Sequence, residues 1–238
     1  MIDAIFDDTA DREKDWEKTA KLSDIILRGC HPENQIEIFL LDLWRHINSE
    51  LKNLPAYKYY KTLFHFDLIQ MINSMYYSCL INQNLHLLNF TENRIHTAPN
   101  MIIYLYIDVD LMASPSFDRN ELGRLREMLW YVQQMARIGN WITTWKRELK
   151  ERDFSSGVFA YAISNDILRS GELRKLDESE IISRIESSRV IEQLFKIWKE
   201  NQQKALSISE NLKSVDGLAF LKGFENLMKF HLASEGFK

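Results

Sequence analysis

The sequence predicts an all-α, single-domain helical bundle, and three observations carry that prediction. Apolar residues recur at three- and four-residue intervals, the period of helices with one buried face. Strand-like alternation is nearly absent. Only four prolines and eight glycines interrupt 238 residues, and they fall between the amphipathic stretches. With 45% hydrophobic and 12% aromatic residues, the chain can bury one large core. No repeat, low-complexity tract or long linker divides it, so 1–238 reads as one domain.

Each expected helix ends at a breaker. The stretches are about 3–28, 34–53, 56–88, 100–112, 118–152, 155–170, 178–212 and 216–234. Pro32, Pro55, Pro99 and Pro115 mark the first breaks, because proline cannot continue a preceding helix, and Gly171 marks a later one. The 118–152 stretch has the clearest buried face, formed by Leu122, Leu125, Leu129, Val132, Met135 and Ile138.

Composition narrows the function classes. A net charge of −4 with scattered Lys and Arg argues against a nucleic-acid binder. Two cysteines, Cys30 and Cys79, imply no disulfide framework and suit a reducing, cytoplasmic compartment. The acidic N-terminus has no signal-peptide core. The longest apolar run, 101–107, is too short to span a bilayer and meets Asp108 and Asp110. A soluble protein is expected.

Two polar clusters carry the chemistry. Asp7-Asp8-Thr9-Ala10-Asp11 sets Asp7 and Asp11 one helical turn apart on the same side, with Asp8 about 100° away. Carboxylates that close repel unless a hard divalent cation such as Mg2+ shares them. Alone, such a cluster is more often an exposed acidic first turn, which helix N-termini favour. The second cluster shifts the balance. Asn140, Thr144 and Glu148 lie at i, i+4 and i+8, one oxygen-bearing row along two turns. Asn and Thr are mediocre mid-helix residues, so helix formation does not call for them. Trp141, Ile142 and Trp145 surround the row, which suggests that it faces a partly closed cavity. Arg147 flanks it as a donor to an anion.

These residues resemble the class I terpene synthases. The aspartate-rich motif of that family reads DDxxD, as 7–11 does, with Phe6 ahead of it as is common there. Its second metal motif has Asn, Ser or Thr four later, and Glu four after that; Asn140, Thr144 and Glu148 match, and Arg137 is typical three before the Asn. Trp141 stands where the family often has an aspartate that is not a usual ligand. Arg147 occupies the place of a basic residue that contacts diphosphate. The family carries an arginine diphosphate sensor 46 residues before the Asn, at a helix break, which is Arg94, with Pro99 nearby. Thr97 would then be the linker and Ala98 the effector, whose carbonyl turns into the cavity.

The resemblance covers the whole chain and implies a class I terpenoid synthase fold. Family members have several helices before the aspartate motif, whereas this chain starts six residues ahead of it. It therefore reads as N-terminally short. The family's closing Arg-Tyr pair is missing, with Lys238 the substitute at the diphosphate end.

The implied activity is Mg2+-dependent ionisation of a geranyl, farnesyl or geranylgeranyl diphosphate, then cyclisation or quenching of the cation. Three Mg2+ ions are expected, with Mn2+ as an alternative. Asp7 and Asp11 would bind metal with Asp8 as their partner, while Asn140, Thr144 and Glu148 hold the third ion. Arg94, Arg147 and Lys238 would bind the diphosphate. Phe64, Phe66, Tyr76, Tyr77, Tyr104, Trp141 and Trp145 are aromatic candidates for the cavity, although core packing is the commoner role of such residues. A homodimer is expected from the family.

Two other readings compete. A chain-elongating or squalene-synthase-like enzyme would use two aspartate-rich motifs, and Asp108-Val109-Asp110 lacks the partner one turn on. A shortened, inactive helical protein could keep the fold and serve as a binding or pairing module. The enzyme reading requires Asp7 and Glu148 to converge across one pocket mouth.

Overall fold

The computed structural model describes residues 1–233, among which there are eleven α-helices and no strand. Lys238 lies outside the described residues. In chain order the helices are α1 (Ile2–Asp7), α2 (Trp16–Arg28), α3 (Gln35–Lys52), α4 (Tyr57–Gln83), α5 (Phe90–Thr97) and α6 (Ile103–Ala113). They continue with α7 (Leu122–Lys150), α8 (Gly157–Ser164), α9 (Glu178–Ser187), α10 (Val190–Ser209) and α11 (Gly217–Ala233). No helix is long and apolar enough to cross a membrane among the described residues.

The centre is α7, 29 residues with its apolar positions buried along nearly its full length. Burial of the C-terminal half of α7 against α8, α9 and α10 forms one apolar cluster, with Trp141, Trp145, Phe159 and Trp198 in it. The N-terminal half packs with α4, α6 and α11 through Met112, Leu125, Met128 and Leu221. A third cluster joins α1, α2, α3 and α4 through Phe6, Leu22, Leu40, Met71 and Met75. The third cluster contains no α7 residue, so the two ends of the later site rest on separate apolar supports.

Two expected elements are broken and one helix is added. The 3–28 stretch is broken: Asp8–Glu13 is a π-helical turn, and Lys14 follows in the left-handed region at φ 56°. Asp15 then caps α2, its carboxylate accepting from the Lys18 N–H at 2.9 Å. The 178–212 stretch is broken at Arg189, also left-handed at φ 56°, directly after Ser187 and Ser188. Serine side chains compete for backbone groups and favour such breaks. A helix also forms where none was expected. Asn89 starts α5 by accepting from Glu92 N–H at 2.9 Å, and its amide donates to Glu92 Oε2 at 2.9 Å. A 3-10 turn, Ala98–Met101, follows α5, with Pro99 at its start.

Candidate functional site

The acidic motif is held by its apolar neighbours. Phe6 and Ala10 are fully buried in the α1–α4 cluster and fix the orientation of the turn between them. Asp7 accepts from Asn100 Nδ2 at 3.1 Å, which ties it to the 3-10 turn. Asp8 is exposed at the rim and pairs with Arg12 at 3.1 Å, one turn on. Asp11 Oδ1 is buried with no hydrogen-bond partner. The π-helical geometry at Asp8–Glu13 is rare in proteins and concentrates at functional sites.

The second row stands on α7. Asn140 Oδ1 accepts from Arg137 Nη1 at 3.1 Å. Thr144 Oγ1 lies 2.7 Å from the Asn140 carbonyl and 2.6 Å from Glu148 Oε1, so its single proton is shared between two acceptors. Glu148 is 7% exposed and its other oxygen, Oε2, has no partner. Arg147 Nε sits 3.8 Å from Glu151 Oε2, outside hydrogen-bond distance.

These two rows line one cleft of about 270 Å³. Its walls carry seven carboxylates (Asp3, Asp7, Asp8, Asp11, Glu148, Glu151 and Asp153) against three arginines, Arg12, Arg137 and Arg147. Asn100 and Asn140 add amide oxygens. Asp153 is buried at the floor, where it accepts from Asn82 Nδ2 at 2.8 Å and from the Ser155 N–H at 3.0 Å.

The inner carboxylates of this group, Asp11, Glu148 and Asp153, oppose one another's ionisation. Burial, then the charges of Asp153 and Asp7, hold the Asp11 carboxyl well above its usual range, with Arg137 pulling it back. Burial and Asp153 push Glu148 up to about 7, while the Thr144 hydrogen bond and Arg137 act in the other direction.

A cation is the species these walls fit. Among the described residues, Asp11 Oδ1 and Glu148 Oε2 are buried oxygens without a hydrogen-bond partner. Among the described residues, no three His, Cys, Asp or Glu side chains stand close enough to cage a metal by themselves. The donor set, carboxylates with amide and hydroxyl oxygens, suits a hard ion that keeps waters and takes further oxygens from a bound anion. The arginines supply the complementary groups: Arg137 Nε and Arg147 Nε are buried donors without partners.

Not every expected residue reaches this cleft. Thr144 lies behind it, bonded to Glu148. Arg94 is outside: its Nε donates to Gln134 Oε1 at 3.3 Å, and its guanidinium lies 5.6 Å from the Phe90 ring. Thr97 Oγ1 donates to the Asn93 carbonyl at 2.7 Å, within its own helix. Ala98 is fully buried and starts the 3-10 turn. Trp141 and Trp145, expected beside a cavity, are instead core residues of the α7–α10 cluster. Both are too apolar and too large to leave facing an acidic cleft while a core is within reach.

The 98–101 turn separates two spaces. Asn100 and Met101 line the acidic cleft, whereas Pro99 and the adjacent Ile102 line a second cavity of about 310 Å³. That cavity is mainly apolar and includes Phe66, Tyr104 and Trp130 with Asp67, Arg126 and Gln133. Phe66 and Tyr104 were among the aromatic candidates. Phe64, Tyr76 and Tyr77 do not line it.

Sequence reasoning missed Asp153 and Asn100, and gave Arg137 no role of its own. Asp153 carried a faint signal, an acid just beyond a helix that ends in charged residues. Asn100 carried none, since its contact with Asp7 spans 93 positions. Compared with known proteins, the chain matches no family model, no curated protein and no solved structure.

Proposed function

We propose that this chain is a Mg2+-dependent class I terpene synthase that ionises a prenyl diphosphate. One observation carries the reading: Asp7 and Asp11 face the same cleft as Asn140 and Glu148, and that cleft is also lined by Arg137 and Arg147, whose buried Nε donors have no hydrogen-bond partner among the described residues. The motif spacing in the sequence is the independent support.

Asp7, Asp11, Asn140 and Glu148 would hold the ions, Thr144 would orient Glu148 from behind, and Asp8, paired with Arg12, would shape the rim. Magnesium, when bound, supplies Lewis-acid neutralisation of the departing diphosphate. Arg137 and Arg147 would donate charge-assisted hydrogen bonds to its oxygens, which orient the leaving group and favour the charge that develops on it. Arg94 bonds Gln134 rather than lining the cleft, so Arg137 is the better-placed arginine. The apolar cavity beyond the 98–101 turn offers aromatic faces and mainly apolar walls to a hydrocarbon chain.

The test is direct. Incubated with Mg2+ and geranyl, farnesyl or geranylgeranyl diphosphate, the protein should release pyrophosphate together with a hydrocarbon or an alcohol. Glu148→Gln should abolish release and leave the helical circular dichroism unchanged. Full turnover by that variant, or by the wild type in excess EDTA, would rule the mechanism out.

A further inference from the structure

The two cleft walls share no apolar cluster, and both are acidic. Like charges facing one another across a partly buried gap repel, so something must hold the walls together. Among the described residues, the direct hydrogen bonds between them come from one side chain. Lys14 Nζ donates to the carbonyls of Arg152 at 2.8 Å and Glu151 at 3.3 Å, the two residues that follow α7. Cations are favoured at a helix C-terminus, where the last carbonyls lack partners within the helix.

The geometry points to Lys14 as a positioning residue, which clasps the Asp7/Asp11 wall to the Asn140/Glu148 wall and sets the gap that receives a divalent cation with its diphosphate. This rests on the function proposed above. Lys14 itself does not line the cleft, so it acts through the residues it holds. Its backbone is engaged as well: the carbonyl accepts from Gln83 Nε2 at 3.1 Å and the N–H bonds the Thr9 carbonyl. Asn82, the neighbour of Gln83 at the end of α4, holds Asp153 in the cleft floor. The end of α4 thereby braces both walls.

The two joined positions are also backbone outliers. Lys14 has φ 56° and Arg152 φ 55°, a left-handed conformation uncommon for residues with a Cβ. Strain of this kind persists only where surrounding contacts hold it. Joining two such residues is consistent with a tie that is kept for what it positions.

Left-handed geometry at residue 14 also makes a clean test available. Lys14→Gly and Lys14→Asn both accept that conformation, so the fold survives while the ammonium is lost. Lys14→Arg keeps a donor of similar reach. Hydrogen exchange of residues 2–13 would be measured on the metal-free chain, and calorimetry would follow inorganic pyrophosphate binding with Mg2+. The Gly and Asn variants should exchange at least tenfold faster over 2–13, with α10 unchanged. They should bind Mg2+–pyrophosphate at least tenfold more weakly with unaltered helical circular dichroism, and the Arg variant should restore both exchange and affinity. Wild-type exchange in the Asn variant would overturn the clasp. Faster exchange with unchanged affinity would overturn the positioning role. A wild-type chain that binds no pyrophosphate would overturn the proposed function, and the exchange result would still decide whether Lys14 joins the walls.

Discussion

The Glu148 carboxyl titrates near pH 7 because burial and the Asp153 charge oppose its ionisation more than Thr144 and Arg137 assist it. In the unfolded chain it would titrate near its ordinary 4.5. Between these values the folded state holds the extra proton, so stability falls as pH rises from about 4.5 to 7 and stays lowered above that. In EDTA, denaturant melts should show the wild type weaker at pH 8 than at pH 5, and Glu148→Gln should lose less over that interval. A second buried acid offers a separate measurement. Arg126 grips Asp67 at 2.6 and 2.9 Å, while Asp108 lies 4.0 Å from the same guanidinium and is pushed up to about 8 by burial and by Asp67. Asp67→Ala would leave Arg126 only Asp108, at 4.0 Å, and should cost about 1–3 kcal/mol by chemical denaturation. Asp108→Asn should be neutral or mildly stabilising at pH 8. Glu148 was legible in the sequence because its partners sit at fixed offsets on one helix. Asp153 was not, since its neighbours Asn82 and Asp11 come from other helices.

At the scale of elements, the long helices were readable and the interruptions were not. Helix α7 shows because its apolar period runs unbroken from Leu122 to Ile138. The breaks at Lys14 and Arg189 show no glycine or proline, so the local signal that usually reports left-handed backbone is absent. Glycine tolerates that conformation, and Arg189→Gly should therefore be stabilising by about 1 kcal/mol, seen as a rise in thermal midpoint. The opposite outcome is expected at Gly157, which opens α8 against the face of the Trp141 indole. A Cβ there would overlap the ring. Gly157→Ala should cost about 1–3 kcal/mol, the usual range for overfilling a packed core. That contact also explains why Trp141 stays in the core although it sits next to Asn140: its face is taken up by α8.

At the scale of the molecule, Mg2+ and pyrophosphate together should stabilise the fold far more than either alone, because each supplies the charge that the other's walls lack. At a hundredfold excess over the dissociation constant the gain is about 2.7 kcal/mol. For a chain of this size that corresponds to a melting increase of roughly 5–10 °C. The Glu148→Gln variant should show little of it. The all-α architecture followed from period and breakers, whereas the meeting of its first turn with the end of α7 is a tertiary fact. The Lys14–Glu151 contact, for instance, joins residues 137 positions apart. During synthesis at about 5–20 residues per second, the aspartates would emerge roughly 7–30 s before the strip that completes their pocket. A nascent or prematurely released polypeptide therefore owns half of a grip and no way to close it. Under the function proposed above, ionisation of a prenyl diphosphate would wait until residues 140–153 have been made.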